Sequence, residues 1–204
     1  YVAMKILMIS GDNEIMNEQS EVHRRMKAYA ELCDELHIVV LGGQHDMMHP
    51  YRNLFIYSLS GNNILQRVKA YRIARSMVAR HSIDIVTAQS PDELGLIAFM
   101  AARSARARLQ LQVHTDIMSP WYRRAGVVPR MKYMLARLLL PQADCVRVVS
   151  DRIARSLIDG LHISPSLLTV LPIFTDVSVL RNKSAHVSKD ARTSNSTCAM
   201  IAVG

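Results

Sequence analysis

The sequence predicts an α/β fold: a Rossmann-like, doubly wound parallel sheet of about seven strands. Three observations carry the prediction. Short, nearly continuous apolar runs recur seven times along the 204 residues, of the kind that strands buried on both faces show. Each run is followed by a segment with helical spacing or by residues that cap a helix, which implies right-handed crossovers with helices on both faces. Half of the residues are hydrophobic and 21% are charged, enough for one core or one and a fraction.

Residues 5–9 (KILMI) form the first strand, and Met4 just before them is expected as the native start, after a three-residue remnant. The polar loop Ser10-Gly11-Asp12-Asn13-Glu14 follows. A helix is predicted over residues 20–34, with Val22, Met26, Tyr29, Ala30 and Cys33 on one face. Residues 36–41 (LHIVVL) make the second strand, closed by Gly42-Gly43. Residues 44–52 read as a loop. His45 and His49 would suit a metal pair on a helix, but Pro50 and the lack of apolar periodicity argue against one.

The third strand is 54–59 (LFIYSL), and a turn at 60–63 leads to a long basic helix over 64–80. The fourth strand is 84–88 (DIVTA). Ser90 as N-cap, Pro91 in the first turn and Glu93 closing a capping box then start a helix burying Leu94, Ile97, Ala98, Ala101 and Ala105. Asp92 and Glu93 look like a catalytic carboxylate pair, but the capping box accounts for Glu93 and an acid in the first turn suits the helix dipole.

The fifth strand, 109–113 (LQLQV), releases His114, Thr115 and Asp116, then Ser119-Pro120, the single tryptophan Trp121, and Tyr122. A helix over 127–140 places Val128, Met131, Leu135 and Leu138 on one side. The sixth strand is 145–149; Ser150 caps a short helix ending near Gly160; the seventh strand, 167–171, stops at Pro172. Composition turns polar at Arg181. The expected organisation is a folded domain over 4–180, a linker over 181–197, and the first strand of a second domain over 198–204 (CAMIAVG).

In such a sheet the loops at the strand carboxyl ends converge on the ligand. The candidates are Ser10 with Gly11, Asp12 and Asn13, the Gly42-Gly43 pair, Gln89 with Ser90, the His114–Asp116 cluster, and Ser150. His114 can accept a proton from a hydroxyl or hydrogen-bond a forming charge, or else simply bond a nearby carbonyl. Asp116 suits a substrate hydroxyl or a turn; Trp121 and Tyr122 suit a sugar ring or packing. Ser150 caps a helix whose N-terminus would receive an anion. The sequence lacks a G-x-G-x-x-G, a P-loop and a G-x-S-x-G elbow, which disfavours dinucleotide, P-loop and α/β-hydrolase chemistry.

The formal net charge of +8 points to anionic partners. Arg123, Arg124, Arg130, Lys132 and Arg137, with Met134 and Leu139 expected outward, suit an anionic membrane surface. Aromatic residues are few and not interleaved with the basic ones, which disfavours nucleic acid. Three cysteines without metal spacing fit a reducing cytoplasm, and no apolar run reaches the length of a membrane span.

The segments KILMISGD, DIVTAQSPDELGLIAFMAAR, LQLQVHTD, ADCVRVVSDRI and LTVLPIFTDV, in this order, resemble the amino-terminal domain of a family 4 glycosyltransferase of GT-B architecture. CAMIAVG resembles the opening strand of its second domain. The resemblance implies transfer of a sugar from a nucleotide-sugar, with retention and without a metal. The acceptor, a glycan or a lipid-linked molecule, lies on this domain, and most donor contacts lie on the other. It places His114 beside the transferred sugar and Gly11 near the donor phosphates. Two departures stand out: Gly11-Asp12 where members often carry two glycines, and Ile173-Phe174-Thr175-Asp176 where many show Asn-Gly-Val-Asp. A non-hydrolysing nucleotide-sugar epimerase and a non-catalytic anion-binding module are the alternatives.

Overall fold

Eight strands form one sheet among the described residues, 4–43, 47–61 and 64–172 of a computed structural model. They are β1 (Lys5–Ser10), β2 (Glu35–Gly43), β3 (Met47–Tyr51), β4 (Leu54–Ser60), β5 (Ile85–Ala88), β6 (Arg108–Val113), β7 (Cys145–Val148) and β8 (Leu168–Val170). The helices are α1 (Glu21–Ala30), α2 (Ile64–His81), α3 (Glu93–Ala105), α4 (Pro120–Arg124), α5 (Val127–Leu139) and α6 (Asp151–Leu161). The strand order is β3-β4-β2-β1-β5-β6-β7-β8. From β1 the chain winds outward through β2 and β4, then returns to β5 and winds the other way. The crevice between the carboxyl ends of β1 and β5 is therefore the switch point of the sheet.

The seven expected strands are all present and parallel to their neighbours. The stretch read as a loop over 44–52 is corrected in part: β3 pairs antiparallel with β4 at the sheet edge. Pro50 is compatible with that place because an edge strand has one ladder it need not join. Residue 45 lies outside the described residues, as do 173–204, where the expected linker and second-domain strand fall.

Two cores sandwich the sheet. One face carries Leu7, Ile9, Val86, Leu109, Leu111 and Val146 beneath residues of α2, α3, α5 and α6. The other packs Met8, Leu36, Ile38, Val40, Leu54 and Ile56 against Met26, Ala30 and Cys33. Helix α1 stops at Ala30, earlier than its apolar spacing predicts. The Asn53 side-chain amide donates to the carbonyls of Ala30 and Cys33 at 2.6 and 2.8 Å, satisfying the helix end there.

Three local expectations are corrected. The N-cap of α3 is Asp92, whose carboxylate accepts from the Leu94 amide; Ser90 instead donates its hydroxyl to Asp92 at 2.5 Å. Ala105 is exposed, and Gly95 and Ala102 take the buried positions. Helix α5 is turned relative to the expected face. It packs against α3 and α4 and buries Tyr133, Ala136 and Leu139, while Val128, Met131 and Leu138 are more than half exposed. Leu139, expected outward, is thus core.

At the amino-terminal edge of the sheet His37 is fully buried, its ring stacked on Phe55 at 4.8 Å. Its Nε2 lies 2.9 Å from a Glu35 carboxylate oxygen that His81 Nδ1 approaches to 3.3 Å, and Lys5 holds the other oxygen at 2.6 Å. Hydrogen bonding to Lys5, then to His37, holds the Glu35 carboxyl at about 2. Burial above all keeps His37 below its ordinary value and hence neutral.

Candidate active site at the strand carboxyl ends

The loops after β1, β5 and β6 meet at the switch point, and hydrogen bonds tie the first two together. Ser10 donates its hydroxyl to Gln89 Oε1 at 2.5 Å, and the Asp12 amide donates to Ser10 Oγ at 3.0 Å. Asp12 caps the short turn after β1 by accepting from the Glu14 amide, and Asn13 donates to the Gly42 carbonyl at 3.2 Å. The Gly11–Asn13 loop is thereby held beside Gln89. A Cβ on Gly11 would stand 3.6 Å from Leu94, so the loop approaches α3 without steric need for glycine.

A cavity of about 200 Å³ opens between the β5 and β6 loops and α5. Gln89, His114, Thr115 and Tyr122 line it, and so do Asp92 and Lys132. With Ser90, which also lines it, five of the sequence candidates are thus brought together. Asp92 and Lys132 were not read as site residues: Asp92 looked like part of a cap and Lys132 like part of a basic surface. In the structure one carboxylate serves both purposes. Asp92 Oδ1 caps α3 while Oδ2 lies 2.8 Å from Lys132 Nζ. That hydrogen bond is the main reason the Lys132 ammonium is held above its ordinary value. The sequence spacing contains no signal for this pair, because it depends on how α5 crosses α3.

His114 stands at the rim of the cavity and is exposed. The protein around the ring disfavours the imidazolium, and Arg147 and then Arg25 add repulsion, so its pKa lies below the ordinary value. Arg147 is itself anchored beneath the rim. It donates to Gln112 Oε1 at 3.1 Å and to the Leu171 carbonyl at 3.3 Å; Gln112 in turn donates to Thr87 at 3.2 Å. Parallel register puts Gln112 beside Arg147 and Thr87 beside Gln110, so this polar ladder crosses three adjacent strands on one face. A neutral imidazole presents one donor and one acceptor, the form that can hydrogen-bond a sugar hydroxyl in either sense.

The remaining candidates lie outside this cavity. Asp116 accepts from Arg152 and from the Ser156 hydroxyl, both at 2.9 Å, which fastens the β6 loop to α6. Trp121 is 79% exposed on α4. Ser150 caps α6, accepting from the Ile153 amide at 3.4 Å.

The fold recurs in solved structures at low identity. A sucrose-phosphate synthase structure from Thermosynechococcus elongatus is 10% identical, with a TM-score of 0.58 over 92% of this chain and 98% of that one. The UDP-N-acetylglucosamine 2-epimerase of Rickettsia bellii is 10% identical, with a TM-score of 0.59 over 94% of this chain and 50% of that one. Anabaena HepE, solved with UDP and glucose, is 16% identical, with a TM-score of 0.56 over 89% of this chain and 50% of that one. The chain thus spans about half the length of the last two. No curated protein matches the sequence. The neighbours include both glycosyltransferases and epimerases, so the fold alone does not separate the two. Residues 20–173 match the model of the glycosyl transferase 4-like domain, and the chain belongs to that family.

Proposed function

We propose that this chain is the acceptor-side domain of a retaining glycosyltransferase, which moves a sugar from a nucleotide-sugar to a glycan or lipid-linked acceptor. The observation that carries the reading is the cavity next to the switch point, between the β5 and β6 loops and α5, whose lining brings together His114 and the Asp92–Lys132 pair. Glycosyl transfer passes through an oxocarbenium-like state as a diphosphate leaves. The protein must position the acceptor hydroxyl, hydrogen-bond the sugar and oppose the phosphate charge. His114 and Thr115 serve the sugar, with Tyr122 as an apolar wall. The Gly11–Asn13 loop and the N-terminus that Ser150 caps face the donor phosphates, and Trp121 and Asp116 flank the acceptor path. A second domain supplies most nucleotide contacts, no metal takes part, and the reaction runs in the cytoplasm. The similarity of the Anabaena structure, which holds UDP and glucose, supports a nucleotide-sugar donor.

The test is transfer from a panel of nucleotide-sugars by a longer protein that carries this chain together with a second domain. His114→Ala is expected to lower kcat by about a hundredfold with little change in KM for the donor, the cost of one well-placed hydrogen bond to a developing charge. Full activity in that variant overturns the assignment of His114. Conversion of the donor to its C2 epimer, without transfer, would support the epimerase reading instead.

The membrane reading rests on a separate observation. Trp121, Val127, Val128, Met131 and Leu138 are each more than 60% exposed on α4 and α5, and arginines flank them. An apolar surface edged by cations fits the headgroup boundary of an anionic bilayer. No helix among the described residues is long and apolar enough to cross a membrane, so contact through them would be peripheral.

A further inference from the structure

Between α4 and α5 lies a second cavity, of about 490 Å³, and its lining is unusual in charge. Arg123, Arg124, Arg130 and Arg137 all contribute to its walls, with Tyr133 at its base. Tyr133 organises the guanidinium groups. Arg123 and Arg137 lie over its ring at 5.1 and 5.7 Å from the centroid, and Arg137 also donates toward the phenol oxygen at 3.5 Å. A guanidinium laid over a ring keeps its N–H edge free to donate. Among the described residues no carboxylate forms an ion pair with any of the four. Four like charges around one hollow repel each other unless an anion neutralises them.

The geometry points to a binding site for a phosphomonoester, supplied by the headgroup of a membrane lipid. This inference rests on the reading of α4 and α5 as the membrane face. Three features choose this occupant. A terminal phosphate offers three free oxygens and close to two negative charges, enough to engage several guanidinium forks; a diester offers two oxygens and one charge. The cavity opens on the same two helices that expose Trp121 and Met131, so a headgroup would reach it while its acyl chains lie against apolar surface. The site is also separate from the first cavity, since no residue lines both. A lipid phosphate there would orient the His114 rim with respect to the bilayer rather than take part in transfer.

The experiment is co-sedimentation of the 204-residue chain with vesicles of phosphatidylcholine containing either phosphatidic acid or phosphatidylglycerol, matched for surface charge. Binding to the phosphatidic acid vesicles is expected to be at least tenfold tighter. Soluble glycerol 3-phosphate should shift the Tyr133 ring resonances in the absence of any membrane. Arg130→Gln with Arg137→Gln should abolish the preference, whereas Arg72→Gln with Arg75→Gln, an equal loss of charge on exposed α2 positions, should preserve it. Equal binding to the two charge-matched vesicles overturns the phosphate site while leaving the membrane face standing. Binding to neither vesicle, with Tyr133 unmoved by glycerol 3-phosphate, overturns both. Glycerol 3-phosphate binding without vesicle binding assigns the site to a free phosphate ester and overturns the lipid source. The wild-type comparisons stand even where a variant fails to fold, and none of them depends on glycosyl transfer.

Discussion

Gly95→Ala tests the packing that shapes the rim of the cavity lined by His114 and Asp92. In most helices alanine in place of glycine gains about 1 kcal/mol. Here the added Cβ would stand 2.9 Å from the Ser90 carbonyl oxygen and 3.4 Å from methyl carbons of Leu111 and Leu139. Leu111 and Leu139 are buried side chains and Ser90 O belongs to the backbone, so none of them can swing aside freely. Overpacking of this kind costs about 1–3 kcal/mol, which cancels the gain and leaves a net loss of up to about 2 kcal/mol. For a chain of this size each kcal/mol lost lowers Tm by roughly 2–4 °C. The displaced backbone also carries Gln89 and Asp92 into the cavity, so the amide resonances of those residues should move. Two other glycines serve as internal controls. At Gly11 a Cβ would meet only Leu94, at an ordinary 3.6 Å, so Gly11→Ala should be close to neutral. At Gly61 there is open space but φ is +90°, so Gly61→Ala should cost about 1 kcal/mol through the backbone alone. Urea unfolding of the three variants measures all of this. A Gly95→Ala variant more stable than the parent by the full ordinary gain of about 1 kcal/mol would refute the close approach of α3 to the Ser90 loop.

Asp92→Ala removes the α3 cap, the acceptor for Ser90 and the partner of Lys132 at once; it should cost about 2 kcal/mol or more in urea unfolding, against well under 1 kcal/mol for Lys132→Met. Asp116→Asn should weaken the tie between the β6 loop and α6, seen as faster amide exchange at Thr115 and Ile117 with only a small change in global stability. Glu35 is depressed from its ordinary 4.5 to about 2 in the folded state, so its stabilisation is fully present above 4.5 and is lost as pH falls toward 2. His37 acts in the same direction at higher pH: the unfolded chain binds its proton below about 6.5 and the folded chain resists, so stability rises with pH across that interval. Glu35→Gln should flatten the lower part of that dependence in acid-unfolding curves.

The strand ladder was legible because buried parallel strands require apolar residues on both faces, and runs such as KILMI and LHIVVL have no other easy home. The switch-point loops followed from that order, and with them Gln89, His114, Thr115 and Tyr122. What stayed hidden depends on contacts distant in sequence. The edge strand β3 has a proline and no apolar run, and it is held by its pairing with β4. Helix α5 carries apolar residues on two sides, so its periodicity could not say which side faces α3; the observed choice buries Tyr133 and Ala136 and leaves Met131 and Leu138 outside. Ser90 and Asp92 are both capable caps two residues apart, and the hydroxyl of the first feeding the carboxylate of the second decides between them. The Lys132 contact and the four-arginine cavity both follow from the same placement of α5.

The most direct test of the account is the chemical identity of the product. A longer protein bearing this chain and a second domain, supplied with an α-linked nucleotide-sugar and an acceptor, should form an α-linked glycoside, read from the anomeric proton coupling by NMR. A β-linked product would contradict retention, and a donor returned inverted at C2 with the acceptor untouched would contradict glycosyl transfer itself.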